Sequence, residues 1–435
     1  MEKERRYTKP KQRGDLFIPS SRIGFGSYRI QVEALKNEKV ADIRCHETFK
    51  KMPFRPEMVR INRLVKCLSD VNGNFIPMLY YPCGSSNFAL DPDLRKNWKA
   101  LIQGAKKVSF NGVKRNFAQN PEKTAAAILK DAADDEMPIL ADLEACFPSK
   151  YYDHNNNMSG PETEKIMIET VRRIQKIFFG RPGILSYVPY HEPGYYRGGR
   201  GIVDSFRVAE LLPELRKVDP YRPITGFWAP PHWDANGEPF GSVDGVDYFI
   251  VDVYTRDLKK HCDELYRIAK ASHAVHRPLG QIFNVDNQGS DDRECPTPAE
   301  YRAEVYTALI AGYRVFYAFI GIPPALETWE EMKKINHQLP VIAKFICDDQ
   351  CKELASVNEE NVCYAVYRKG KEVLVIASSK SNYKKVKLGI DLNKICGLKQ
   401  ANGNALFGSE KVQVKKGTFA YTLLPAGSGI WIFRK

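Results

Sequence analysis

The sequence predicts an α/β fold: a (β/α)8 TIM barrel followed by a small antiparallel β-sandwich, with a short N-terminal β-rich extension in front. Three observations predict it. From residue 75 onward, short apolar runs alternate with amphipathic helical stretches, the pattern of a parallel sheet joined by crossover helices. Eight such runs fit into about 250 residues, the usual size of this barrel. After about residue 335 the hydrophobic period drops from helical to two, as in strands with one covered face. A chain of 435 residues exceeds one core, so three regions are expected: 1–68, 69–330 and 335–435.

Taken in order, the extension rests on GDLFIPSSRIGFGSYRIQVEAL and VRINRLVKCL, which have strand character without a full pattern. The barrel strands are expected at FIPMLYY (75–81), VSFNGV (108–113), MPILADLE (137–144), GILSYVPY (183–190), PITGFW (223–228), VDYFIVDVY (246–254), PLGQIFNV (278–285) and RVFYAFIG (314–321). A doubly wound sheet would show fewer strands and a Gly-rich phosphate turn after the first. Between them, PETEKIMIETVRRIQKIF opens with Pro161 and acidic residues and spaces Ile166, Ile168, Val171, Ile174 and Ile177 for a helix packed outside the barrel. TPAEYRAEVYTALIAGY starts with Thr297 before Pro298 and stops near Gly312. The sandwich strands are VCYAVYRKG, EVLVIASS, KKVKLGI, KVQVKKGTFAYTLLP and SGIWIFRK, separated by Gly, Asn and Lys-rich turns.

Charge and cysteines narrow the class. The net charge of +13 is concentrated at the ends, and the middle of the chain is slightly acidic. Lysines on exposed sandwich faces and edges account for the C-terminal share. An acidic middle and the lack of any RNP, helix-turn-helix or finger pattern argue against a nucleic-acid partner. No apolar run approaches the roughly 20 residues of a membrane span, so no membrane partner is expected. The charged start MEKERRYTKPKQRGD has no apolar signal stretch, so the expectation is a cytoplasmic chain or a fragment of an exported one. Ten cysteines, with Cys347 and Cys351 closest in sequence, form no CxxC pair and are expected as ordinary free thiols. Eight histidines without an HxH or HExxH pattern predict no metal, and no cofactor is expected.

Barrel enzymes carry their chemistry at the C-terminal ends of the strands. Those ends offer Asp142 and Glu144, then Tyr190, His191 and Glu192, then Trp228, then Asp252 and Tyr254, then Gln281, Asn284 and Asp286. Carboxylates, amides and aromatics together suit a sugar, whose hydroxyls need hydrogen-bond partners and whose C–H faces stack on rings. Cleaving a glycosidic bond takes one carboxylic acid to protonate the leaving oxygen and a second carboxylate as nucleophile or base. Glu192 is the candidate acid, since it follows the buried-type strand GILSYVPY, where desolvation raises a carboxyl pKa. A phosphate-handling barrel should show a Gly-rich anion site after strands 7 and 8, but NVDNQGSDDREC and FIGIPPALETW are acidic or apolar.

The stretches RPGILSYVPYHEPGYY, LLPELRKVDPYRPITGFW, VDYFIVDVYT, RPLGQIFNV and PTPAEYRAEVYTALIAGYRVFYAF resemble the catalytic barrel of clan A glycoside hydrolases and their relatives, across roughly residues 70 to 325. The ending TFAYTLLPAGSGIWIFRK resembles the last hairpin of their C-terminal sandwich. The resemblance implies that Glu192 matches the strand 4 proton donor, with His191-Glu192-Pro193 where the clan usually has Asn-Glu-Pro. It implies that Tyr254 matches the strand 6 tyrosine that often touches the nucleophile. At the strand 7 nucleophile position it aligns Gln281, which cannot attack an anomeric carbon. Three readings stay open: Asp252, Glu144 or Asp142 supplies the second carboxylate, with Asp252 leading; a substituent of the sugar assists; or the barrel binds carbohydrate without cleaving it.

Overall fold

The computed structural model describes residues 26–36, 39–80, 98–116, 137–143, 161–189, 205–228, 246–271, 279–284, 296–319 and 325–434. By internal contacts the chain divides into two compact units, Met1–Arg55 and Pro56–Lys435. The described part of the first is a long antiparallel hairpin, β1 (Gly26–Lys36) and β2 (Lys39–Lys51), with register shifts between Val32 and Glu33 and between Ala34 and Leu35.

The second unit opens with a three-stranded antiparallel sheet of β3 (Arg60–Asn62), β4 (Cys67–Asp70) and β5 (Gly73–Phe75). The boundary expected at residue 68 falls inside β4, because Leu68 is fully buried and packs with the barrel-type core that follows. Eight parallel strands come next: β6 (Met78–Tyr80), β7 (Gly112–Asn116), β8 (Ile139–Asp142), β9 (Ile184–Val188), β10 (Thr225–Trp228), β11 (Tyr248–Asp252), β12 (Leu279–Asn284) and β13 (Tyr313–Phe319). They form one sheet in the order β10-β11-β12-β13-β6-β7-β8-β9. Its two outermost strands meet through a parallel bridge between Tyr187 and Ile224 and a 3.0 Å hydrogen bond from Tyr187 N to Pro223 O. Among the described residues six helices accompany them: α1 (Trp98–Lys107), α2 (Pro161–Ile177), α3 (Ser205–Val218), α4 (Leu258–Ala271), α5 (Pro298–Ile310) and α6 (Leu326–Ile346).

Every residue of β8, β9 and β11 is buried, as expected of parallel strands covered on both faces. Alternation divides them between two cores. Leu79, Leu140, Leu185, Phe227, Tyr248, Ile250, Val315 and Tyr317 form the inner cluster with Val59 and Leu68. Val113, Ile139, Ala141, Tyr187, Val251, Phe316 and Ala318 face the other way, against Val171, Ile174, Leu265, Ile268 and Leu309 of the helices. Inner packing is tight at two glycines. A Cβ on Gly112 would lie 2.6 Å from Leu79 Cδ2, and one on Gly280 2.8 Å from Ile250 Cγ1.

Strand 2 departs from the sequence reading. Val108 and Phe110 are buried, which gave VSFNGV its strand look, but their backbone closes α1: Val108 N and Phe110 N both donate to Ala105 O, and Ser109 has φ 61°. The strand is Gly112–Asn116.

Helix α6 runs through the expected sandwich start at 335 to Ile346, burying Met332, Ile335, Leu339, Ile342 and Ile346 at helical spacing. Eight antiparallel strands follow: β14 (Lys352–Asn358), β15 (Val362–Lys369), β16 (Glu372–Ser379), β17 (Val386–Asp391), β18 (Ala401–Ala405), β19 (Lys411–Lys415), β20 (Thr418–Leu423) and β21 (Ser428–Arg434), with the short helix α7 (Leu392–Cys396). Their order is β14-β15-β16-β21-β18-β19-β20-β17. Strands β15 and β16 are buried on both faces. Val362, Tyr364, Val366, Val373 and Val375 enter the sandwich core, while Cys363, Ala365, Tyr367, Leu374 and Ile376 join the core that holds the barrel helices.

Candidate active site

Parallel strands all end at one edge, so the C-terminal residues of β6–β13 gather there. Alternation then decides which of them belong to the inner face. On β8, Leu140 is an inner residue and Asp142 follows it by two; on β11, Tyr248 and Ile250 are inner residues and Asp252 follows. Both carboxylates are buried, Asp142 fully and Asp252 with 5% of its surface exposed. Carboxylates are seldom buried this far, so two of them at inner positions of one strand edge set that edge apart. Tyr254, two residues beyond Asp252, is half-buried and packs on Phe319 with ring centroids 6.2 Å apart. This leaves an aromatic pair beside the acids.

The layer below is polar but neutral. Ser186 Oγ and Tyr248 OH lie 2.6 Å apart, and Thr225 Oγ1 donates to Tyr248 O at 2.8 Å. Burial pushes the Tyr248 hydroxyl well above its ordinary pKa, so it stays protonated and serves as a hydrogen-bonding group.

Strand β9, which leads toward Glu192, is anchored from its outer side. Tyr187 OH donates to Asp219 Oδ2 at 2.7 Å, Arg222 Nη1 donates to the same oxygen at 2.5 Å, and Arg222 Nη2 donates to Phe178 O at 3.1 Å. Asp219 Oδ1 also accepts from Tyr221 N at 3.0 Å. The side chains of Asp219 and Arg222 are fully buried. The motif VDPYRP therefore supplies a buried ion pair that fixes β9, the strand that leads in sequence to Glu192.

Register sets the faces of strand 7. Gln281 pairs with Val251 and Phe316, both members of the helix-side core. Its position is thus in line with the outer face. Gly280, Ile282 and Asn284 pair with Val315, Tyr317 and Phe319 on the inner side, so Asn284 occupies the inner position at the end of β12. The side chains of Trp228, Gln281 and Asn284 are not among those described; Trp228 ends β10, paired with Val251. Tyr190, His191, Glu192, Glu144 and Asp286 lie outside the described residues.

Two positions escaped the sequence reading. Lys114 and Asn116 pair with Leu140 and Asp142, which sets them on the inner face of β7. Placing strand 2 four residues early hid them; the polar run KRN just after an apolar pair was the available signal. Among the described residues no group of three or more His, Cys, Asp or Glu side chains could hold a metal ion. No helix among them is long and apolar enough to cross a membrane.

No family model matches the chain, and no curated protein is similar to it in sequence. Solved structures are similar in fold. An α-amylase from Geobacillus thermoleovorans, solved with acarbose, is 12% identical over 82% of this chain and 98% of its own, with a TM-score of 0.56. A GH27 β-L-arabinopyranosidase from Geobacillus stearothermophilus, solved with arabinose, is 11% identical over 83% and 97%, at 0.54. A GH30 endoxylanase from Clostridium papyrosolvens is 11% identical over 83% and 97%, at 0.50. At such identities the likeness is one of fold. The chain shares the (β/α)8 architecture with a C-terminal β domain found in these glycoside hydrolases, as the resemblance to clan A implied.

Proposed function

We propose that this protein is a glycoside hydrolase acting on an oligo- or polysaccharide, with its eight parallel strands closed into a complete barrel. Glu192 is the general acid and Asp252 the opposing carboxylate. The observation that carries the reading is the pair of buried acids, Asp142 and Asp252, at inner positions on the C-terminal edge of the sheet. Asp142 is the Cα partner of Val188, the last residue of the strand that leads to Glu192. In this reading Asp142 and Asn284 hold sugar hydroxyls together with His191, Tyr190 and Glu144, while Tyr254 and Trp228 stack on the ring. In its protonated form Glu192 gives its proton to the glycosidic oxygen as the C–O bond breaks, and Asp252 stabilises the oxocarbenium-like centre or directs water to it.

The test is a screen of aryl glycosides and polysaccharides with wild type, Glu192→Gln and Asp252→Asn. Hydrolysis that falls by about 10² to 10⁴-fold in Glu192→Gln supports the assignment. Equal turnover in the wild type and Glu192→Gln refutes it. NMR of the nascent anomer then separates retention from inversion.

A second reading, a carbohydrate-binding barrel without turnover, is favoured by one observation: the described strand Leu279–Asn284 contains no carboxylate, where the clan places its nucleophile. Sugar affinity in both wild type and Glu192→Gln, with hydrolysis in neither, would establish it.

A further inference from the structure

Asn382 belongs to the sandwich, in the turn between β16 and β17, yet its side chain is bonded to the barrel. Its Oδ1 accepts from Leu258 N at 3.2 Å, and its Nδ2 donates to Arg256 O at 2.9 Å and to Glu300 Oε1 at 2.7 Å. One amide thus grips both peptide groups that flank Asp257, where the connection leaving β11 enters α4. The same nitrogen reaches the start of α5, because Glu300 Oε2 accepts from Thr297 N and from Thr297 Oγ1, each at 2.9 Å. A helix that follows a barrel strand begins at the edge where that strand ends, so this clasp lies on the side of the molecule that carries Asp142 and Asp252.

Neither half of the clasp has slack. On the sandwich side Ser381 N donates to Ser379 Oγ at 3.1 Å, Ser381 Oγ accepts from Lys384 N at 3.0 Å, and Ser381 O accepts from Ala426 N at 2.7 Å. Ala426 in turn packs with Leu258 and Ala303. On the barrel side Asp257 Oδ1 caps α4, accepting from Lys259 N at 2.9 Å and Lys260 N at 3.1 Å. The connection 253–257 is therefore held at one end by Asp252, paired with Ile282 in the sheet, and at the other by Asn382. Tyr254 lies between these two anchors. Leu258 N is one of the donors that a helix cannot satisfy from within, so the far anchor depends on the partner that the sandwich supplies.

We infer that Asn382 is a positioning residue: from the sandwich it fixes the loop that sets Tyr254 beside Asp252, and so makes the C-terminal domain part of the barrel's site. The inference rests on the reading of this edge as a glycoside hydrolase site. Asp252 keeps its place through the register of β11, whereas Tyr254 keeps its place through the loop. Loss of the clasp accordingly weakens the hold on the sugar ring more than it slows the bond-breaking step.

The experiment compares full-length wild type, Asn382→Ala, Asn382→Asp and Asn382→Asp with Glu300→Gln, on the aryl glycoside turned over best in the screen. Asn382→Ala should raise KM by on the order of 10-fold with kcat within about twofold of wild type. A side chain that merely kept the protein folded would do the reverse, lowering kcat through lost active molecules at an unchanged KM, and that outcome overturns the inference. Asn382→Asp keeps the acceptor for Leu258 N but sets a carboxylate against Glu300, so it should share the defect. Adding Glu300→Gln removes the repulsion and returns a donor, and should bring KM back toward wild type. Hydrogen exchange gives a readout that needs no substrate: peptides covering 253–260 should exchange about 10-fold faster in Asn382→Ala, with those covering 313–319 unchanged. Equal exchange in 253–260, or the same acceleration in both regions, overturns the inference as well. If the wild type hydrolyses nothing in the screen, the hydrolase reading fails on that result, and exchange alone decides whether Asn382 positions the loop.

Discussion

Glu304 shows how a single buried side chain makes stability depend on pH. It sits in α5, almost fully buried, and burial pushes its carboxyl up to about 8, with Arg256 opposing and Glu300 reinforcing the shift. A carboxyl raised in the folded state contributes stability that is present below its unfolded pKa and is lost as pH climbs toward 8. His261 has the opposite slope: burial lowers it to about 4, so stability falls as pH drops from about 6.5 toward that value. Glu304→Gln should therefore be more stable than wild type at pH 8, by on the order of 3 kcal/mol in urea unfolding, and equal to it at pH 4. An equal gain at both pH values would show that packing, and not ionisation, is responsible. Residues of this kind could not be found from sequence, because burial is set by the sheet that packs against α5.

Among the elements, legibility followed hydrophobic pattern. Helices α2 and α5 came out with nearly the expected limits, and α5 proves to open on a capping box that the sequence reading did not name: Glu300 N donates to Thr297 Oγ1 at 3.3 Å and Thr297 N to Glu300 Oε2 at 2.9 Å. Strands β14 and β18 were missed. KELASVN is mostly exposed, and ANGNA has weak strand propensity, with Gly403 placed where a Cβ would come within 2.5 Å of the Phe433 ring. The displaced strand β7 failed for the reverse reason, since apolar residues serving a helix-closing turn imitate a strand. Gly280 now carries a prediction. Alanine there drives a methyl against Ile250 and Val315 in the inner cluster and should cost about 1 to 3 kcal/mol in guanidinium unfolding. Gly104→Ala, where a Cβ meets nothing within 4 Å, is the control and should not destabilise.

For the whole molecule, the eight-strand count was legible because each buried parallel strand announces itself as a compact apolar run. The site was less so. Asp142 and Asp252 could be named from strand ends, but the face of Gln281 required the neighbouring strands' register, which no local pattern encodes. Beyond the active site, α5 is buried around its circumference, with Ala303 O accepting from Ser378 Oγ of β16 at 3.4 Å. Barrel and sandwich should accordingly unfold as one cooperative unit: far-UV circular dichroism and the alkylation of Cys262 and Cys363 should share one denaturant midpoint, whereas separate midpoints would show that the two halves stand alone. Because β15 and β16 serve a core on each side, the C-terminal half is a wall of the building and not an annex. A chain cut after α6 would bare the outer flank of α5 to water, and any recombination with another barrel would have to carry that helix along with the strands that cover it.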